Sequence, residues 1–337
     1  MKSGLGFQQK NLKIPLFKIS WDNNDIKAVN KIIRRGMAWT NGPEAEKFEK
    51  AIAKYVGTKY AVVFNSGTSA LHSAMIVLGI GKGDEVIVPA FTFIATINAP
   101  KFVGAKPVFA DIEEETLGLD PKDVLKKITP HTKAIIPVHY GGKPCKIREL
   151  KEIADDYGLF LVEDACEALG AKVGTFGHMA IFSFCQNKII TTGDGGAITT
   201  NHKSLYEKLK LIRSHGGQTG FGYNFRMPEM LAALGLSQLK KIKKNIIARR
   251  KIAERILGKA DPENVYQLLT IRSKNRDKLQ KHLKKRGIET KVYFKTLANL
   301  PITTKVSKEV LTLPCYPGLT KKEMDYIVKE IKNFYNQ

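Results

Sequence analysis

The run FSFCQNKIITTGDGGAITT, from Phe182 to Thr200, sets one lysine, Lys188, between an apolar strand-like segment and a cluster of glycines and threonines. A lysine in that setting is either a solvated charge at a turn or an amine held at the mouth of a sheet, where it can form a Schiff base with a carbonyl. Further upstream, LFLVEDACEALGA delivers Glu163 and Asp164 at the exit of an apolar strand. An acid there caps the next helix, or it holds a proton on a ring nitrogen whose pKa it raises by charge pairing. In NSGTSAL the strand YAVVF ends and Asn65, Ser66, Gly67 and Thr68 open a helix. Free N–H groups and the positive end of the helix dipole suit a phosphate, although a Ser-Gly-Thr turn taken alone is more often plain capping. PAFTFIAT places Phe93 where an aromatic face can cover a flat ligand, with core packing as its competing use.

A phosphate cradle, a strand-end aspartate, a stacking aromatic and a lysine on a strand exit are together the requirements of pyridoxal phosphate. The phosphate needs N–H donors, the pyridine nitrogen needs an acid that keeps it protonated as an electron sink, and the aldehyde needs the lysine.

The elements that must position these residues are legible as an alternation. YAVVFN, EVIVPA, KPVFAD, KAIIPV, LFLVED, AIFSF and GAITT read as strands, with helical patterns at 69–78, 95–103, 121–128 and 147–157 between them. That alternation describes a mostly parallel sheet wrapped by helices, whose ligands collect at the carboxyl ends of the strands. After a helix ending near Arg213 and the glycine-rich SHGGQTGFGYNFRM, one long helical pattern runs from about 228 to 257. A strand, helix, strand, helix reading over 265–334 closes the chain. The division expected is a large cofactor-binding domain over 1–245, with the N-terminal segment, and a small C-terminal domain over 246–337.

A chain of 337 residues with 43% apolar content can fill a sizeable core. Its apolar runs are too short and too often broken to span a membrane. MKSGLGFQQKNLK at the start lacks the zones of a leader peptide, so a cytoplasmic location is expected. Cys145, Cys166, Cys185 and Cys315 form no CxxC pair and suggest neither a disulfide framework nor a metal site. The net charge of +23 invites nucleic acid or other anions. Much of it lies in LKKIKKNIIARRKIAERILGK and KNRDKLQKHLKKRG, where apolar residues recur at helical spacing and the charges form an outer face. Without a recognised nucleic-acid motif, a nucleic-acid partner is not expected, and a noncatalytic regulatory protein on the same scaffold is the competing reading.

Taken in order, IPLFKISW, MAWTNGPEAEKFEKAIAKYVG, NSGTSALH, DEVIVPAFTFIATINA, KAIIPVHYGG, LVEDACEALGA, FSFCQNKIITTGDGG, GYNFRMPEMLAALGLSQL and LTLPCYPGLT resemble the DegT-type (DegT/DnrJ/StrS) sugar-nucleotide aminotransferases, a branch of the fold-type I pyridoxal-phosphate enzymes. The resemblance implies an α/β fold with a mostly parallel seven-stranded sheet between helices and a smaller α+β C-terminal domain. It makes Lys188 the Schiff-base lysine, sets Asp164 against the pyridinium nitrogen and stacks Phe93 on the ring. Gly67, Thr68 and Ser183 would contact the phosphate, Ser66 belongs to the same cofactor-binding set, and Asn224 would reach the cofactor phosphate of a partner subunit in a homodimer with shared active sites. Glu167 stands beside the ring, and with the pair Asn187 and Lys188 it resembles enzymes acting on 4-keto sugars. Aminotransfer from L-glutamate to a nucleotide-diphosphate keto sugar is the implied activity, because a related branch with histidine in place of the lysine performs dehydration instead. The chain departs from the family at Gly170 to Gly177 and in the compressed stretches DPENVYQLLTIRS and LANLPITTKVSKEV. His139 and His215 read as architectural, and His72 and His178 have no metal-binding spacing.

Overall fold

The computed structural model describes residues 14–217 and 220–336. The polar opening 1–13 lies outside them, as do Gln218 and Thr219 of the glycine-rich loop. Two helices, α1 (Asn23–Arg35) and α2 (Pro43–Val56), precede the sheet. Then follow β1 (Tyr60–Phe64), α3 (Gly67–Val77), β2 (Glu85–Pro89), α4 (Ile94–Phe102), β3 (Lys106–Ala110), α5 (Pro121–Lys127), β4 (Thr132–Ile135), α6 (Ile147–Asp156), β5 (Phe160–Asp164), β6 (Met179–Ser183), β7 (Gly196–Thr200) and α7 (Lys203–Arg213). Each of the seven expected strands is present, and they form one sheet in the order β1-β7-β6-β5-β4-β2-β3.

Only β7 runs against its neighbours, antiparallel to both β1 and β6. The carboxyl ends of the other six strands therefore share one edge of the sheet, and the amino end of β7 joins them there. The strands are apolar on both faces because both are covered. Val62 and Phe64 pack with Leu71 and Met75 of α3, while Ala61 and Val63 face Phe48 and Ile52 of α2. On the other half, Ile87, Ile135 and Leu161 meet Val124 of α5 and Leu150 of α6.

The long helix expected over 228–257 is two, α8 (Glu229–Leu239) and α9 (Ile242–Leu257). The break has an identifiable cause at its edges. Gln238 Nε2 donates to the Ser20 carbonyl at 3.0 Å and to Asp25 Oδ2 at 2.8 Å. The Lys241 ammonium pairs with Asp25 and, at 3.4 Å, with Asp22. These anchors hold α8 against α1 while α9 turns away, and the apolar spacing that continues across the break hides it from the sequence.

A second core gathers around β8 (Leu269–Arg272), α10 (Arg276–Lys285), β9 (Val310–Leu313) and α12 (Lys321–Tyr335), with β8 and β9 antiparallel, while α11 (Pro301–Glu309) packs through Val306 with Phe91 and Tyr140. Helix α11 is an addition to the expected order; its Thr-rich, β-branched sequence PITTKVSKE argues weakly for a helix. Helix α9 serves both cores, with Ile242 and Ile246 in the sheet's and Ile252 and Ala253 in the smaller one. A division at 245/246 therefore runs through a continuous helix. Ile14 also packs in the smaller core, its N–H on the Gly287 carbonyl at 3.0 Å.

Candidate active site

The cradle at the end of β1 depends on two close approaches. Register sets Gly196 at the start of β7 opposite Phe64 on one side and Ser183 on the other. A Cβ at Gly196 would lie 2.5 Å from the Ser66 carbonyl oxygen and 2.6 Å from Gly67 N, so glycine is required for α3 to begin there. A Cβ at Gly67 would meet Ser183 Cβ at 3.2 Å and Cys166 Sγ at 3.4 Å. The start of α3 is thus brought beside Ser183, with the N–H groups of its first turn lacking intrahelical partners. Ser66 is committed as the N-cap, its Oγ accepting from Ser69 N–H at 3.0 Å. Thr68 is exposed.

Asp164 ends β5, separated from β1 by the two strands β7 and β6, and is 5% exposed. Its Oδ2 accepts from Thr96 Oγ1 at 2.8 Å and its Oδ1 from Cys166 N–H at 3.2 Å. Because Thr96 gives its hydrogen to the carboxylate, the 2.9 Å contact between Thr92 and Thr96 must have Thr92 as donor. This hydroxyl pair fixes the carboxylate from α4. Phe93, the residue before α4, is 59% exposed and so is not core. Its carbonyl accepts from Thr96 N–H at 3.1 Å, which ties the aromatic to the helix turn that holds Asp164.

Lys188 follows β6 in a turn closed by its own N–H on the Cys185 carbonyl at 2.9 Å. Its Nζ lies 3.7 Å from Glu167 Oε1, with side-chain exposures of 15% and 10%. Burial disfavours the ammonium, yet the surrounding groups, Glu167 first, outweigh it and hold the proton more tightly than in water. Burial also pushes the Glu167 carboxyl up, with Lys188 and the Gly141 N–H, which donates to Oε2 at 2.8 Å, pulling the other way. Cys166, Glu167, Ser183, Lys188 and Gln267 line one pocket.

Several residues of this site carry no local signal. Gln267, before β8, donates from Nε2 to the Asn187 carbonyl at 2.7 Å. Asn187 Nδ2 donates to the Tyr293 hydroxyl at 3.4 Å, and burial pushes the Tyr293 phenol up. Thr92 and Thr96, spaced one helical turn apart in the stretch around Phe93, offered a signal in their spacing; Gln267 and Tyr293 offered none. Asn224 is not in the Lys188 pocket. Its carbonyl accepts from Asn65 Nδ2 at 3.4 Å while the residue is exposed, beside the cradle. His139 is fully buried against Glu163 at 3.1 Å, in keeping with an architectural role. His215 takes a positive φ of 60° in its loop.

The residues fit a phosphorylated pyridine aldehyde. An anion-ready helix start, a carboxylate with lone pairs to spare and a buried amine stand along one sheet edge, and Gly67 and Gly196 let the helix start close against β6 and β7. Among the described residues no helix is long and apolar enough to cross a membrane.

The sequence profile of the DegT/DnrJ/EryC1/StrS aminotransferase family matches residues 20–332. GDP-perosamine synthase of Vibrio cholerae is 35% identical over 364 aligned positions covering 96% of this chain and 99% of that protein. The alignment is longer than the 337-residue chain, so the relative carries insertions. The crystal structure of S. venezuelae DesV in complex with a ketimine intermediate matches with a TM-score of 0.90 at 32% identity, over 96% of this chain and 99% of that one. Helicobacter pylori PseC, an aminotransferase involved in the biosynthesis of pseudoaminic acid, matches at 0.88 and 30%, over 97% and 100%.

Proposed function

The chain belongs to the DegT/DnrJ/EryC1/StrS aminotransferase family, and from that premise we propose that it moves an amino group from L-glutamate to the ketone of a sugar carried on a nucleotide diphosphate. It is a pyridoxal-phosphate enzyme. The observation that carries the reading is the alignment of the α3 start, Asp164 and the Lys188–Glu167 pair along one edge of the sheet. Relatives named for GDP-perosamine support the nucleotide sugar as acceptor class. Glu167 beside the pair Asn187 and Lys188 favours a 4-keto-6-deoxy sugar.

When bound, pyridoxal phosphate supplies an aldehyde that takes up an amine and a ring that stores the electrons released at the amine-bearing carbon. In our reading the first-turn N–H groups of α3 at Gly67 and Thr68, with Ser183 Oγ, hold the phosphate, and Ser66 keeps that turn wound. Asp164 keeps the ring nitrogen protonated through the lone pairs that Thr96 and Cys166 leave free. Phe93 covers the ring face. Lys188 Nζ would hold the aldehyde, and as a free amine it would be the acid–base group that moves the substrate's proton. Glu167 Oε1 takes the lysine's proton when the amine must be free. Burial raises its pKa, and its Oε1 stands 3.7 Å from Nζ, so the two side chains must close up before the proton passes.

A homodimer belongs to the same proposal, with Asn224 extended to the partner's phosphate. So does a cytoplasmic location, where the four free thiols would stay reduced. The test is amine transfer from L-glutamate to a panel of nucleotide-diphosphate keto sugars. Lys188→Ala is expected to lower the rate by about 10⁴-fold, the upper range for a positioned acid–base group. Unaltered turnover in that variant would overturn the reading, and steep salt-dependent duplex binding without amination would favour a regulatory protein instead.

A further inference from the structure

The smaller core contributes one polar side chain to the Lys188 pocket, and half of that side chain is unused. Gln267 is 5% exposed and lines the pocket together with Lys188 and Glu167. Its Nε2 donates to the carbonyl of Asn187, the residue before Lys188, at 2.7 Å. That bond fixes the amide, because the reverse orientation would set two oxygens against each other. Oε1 is then left buried without any donor. A buried amide oxygen without a partner is costly, and folded proteins keep few of them. In this pocket the charged donor is Lys188; Arg249, beside Gln267 in the adjoining pocket, gives its Nη1 to the carbonyls of Tyr266, Gln267 and Cys315 and makes no bond to Oε1. The Lys188 ammonium has three N–H groups, and Glu167 at 3.7 Å lies beyond hydrogen-bond length.

We propose that Gln267 is a positioning residue for Lys188, holding the Asn187–Lys188 turn with Nε2 and offering, on the unpartnered Oε1, an acceptor onto which the ε-ammonium can turn when it leaves the cofactor. The inference rests on Lys188 being the working amine. Backbone pairing places Gln267 and Glu167 on one frame. Val265 and Leu268 N–H donate to the carbonyls of Gly142 and Gly141 at 3.1 and 3.0 Å, and the Gly141 N–H holds Glu167 at 2.8 Å. Glu167 and Gln267 thus offer the released lysine a carboxylate and an amide oxygen fixed relative to each other.

The test needs no turnover. The full-length chain is freed of cofactor and acetylated with trace anhydride across the alkaline range, and the Lys188 peptide is quantified by mass spectrometry. In Gln267→Met, which keeps the volume and removes donor and acceptor, the Lys188 midpoint is expected to fall by about one pH unit. That is a tenfold gain in reactive amine at any pH below the midpoint. A role limited to packing would lower the melting temperature and leave the midpoint in place, and that result would overturn the proposal. Should the Met variant not fold, Gln267→Asn retracts the amide by one methylene, so it cannot meet both partners. A smaller downward shift is expected there, and an unmoved midpoint overturns the proposal equally. A chain that aminated no sugar nucleotide would sink the functional reading while leaving this titration legible.

Discussion

Glu163 and Asp164 are neighbours on β5 whose side chains, by strand alternation, point to opposite faces, and their surroundings differ accordingly. Glu163 is saturated. Its Oε2 accepts from His139 Nε2 at 3.1 Å and Gly174 N–H at 2.8 Å, and its Oε1 accepts from Phe176 and Gly177 N–H at 2.9 and 2.8 Å. Asp164 accepts two hydrogen bonds, from Thr96 and Cys166, and keeps lone pairs for something else. A buried carboxylate with every lone pair filled builds structure, whereas one left half-filled at a strand end is available to a ligand. Three N–H groups of the 170–177 segment find their acceptor in Glu163.

Exchanging each acid for its amide should separate the two roles. Asp164→Asn is expected to cost between about tenfold and a thousandfold in amine transfer, the range in which an adjacent opposite charge moves a pKa by 1–3 units. Stability should change by no more than about 1 kcal/mol, because the Thr96 hydroxyl can rotate to suit the amide. Equal losses of activity in both amides would break the comparison. Glu163→Gln is expected to leave the catalytic rate at ambient temperature intact and to lower unfolding stability by about 3 kcal/mol, since an amide has one oxygen to meet four donors. The pH dependence has a definite sign. Burial pushes the Glu163 carboxyl up, but His139 and the Gly177 and Gly174 N–H groups outweigh it and hold it below 4.5. Its contribution is therefore complete above pH 4.5 and is lost as pH falls through the lower folded value. Denaturant melts of parent and variant should differ most at neutral pH and converge in acid.

What the sequence disclosed follows the same line. NSGTSAL, the acids of LFLVED and Lys188 stand at strand exits, and an exit is legible because an apolar run stops and polar residues begin. The sheet was readable for a related reason, as its strands are covered on both faces and so are apolar throughout. Gln267 reaches the Lys188 turn across 80 residues of chain, and Asn187 meets Tyr293 across 106. No local pattern announces such pairs, because they depend on how the smaller core is set against the sheet. The break between α8 and α9 was hidden similarly, by side-chain anchors to Asp25 more than 200 residues away.

The smallest effect refines the contrast between the two acids most finely. If Asp164 works through lone pairs held at a fixed angle, the donors that hold it matter in proportion to the orientation they supply. Thr96→Val keeps the shape of a residue that is 1% exposed and removes the hydroxyl donating to Oδ2. Cys166 N–H still holds Oδ1, so the carboxylate stays in place with one restraint fewer. The expected loss is one hydrogen bond to a charged group, about 1.5 kcal/mol or roughly tenfold in rate. Affinity for the amino donor should stay unchanged, since Thr96 faces Asp164 and not the pocket around Lys188. Thr92→Val, one step further out, leaves the Thr96 donor intact and should cost less still. A graded series, with Asp164→Asn above Thr96→Val and Thr92→Val last, would mean that orientation of the acid is what α4 supplies. If Thr96→Val matched Asp164→Asn, the hydroxyl itself would be touching the reacting molecule, and Thr96 would move from support into the site.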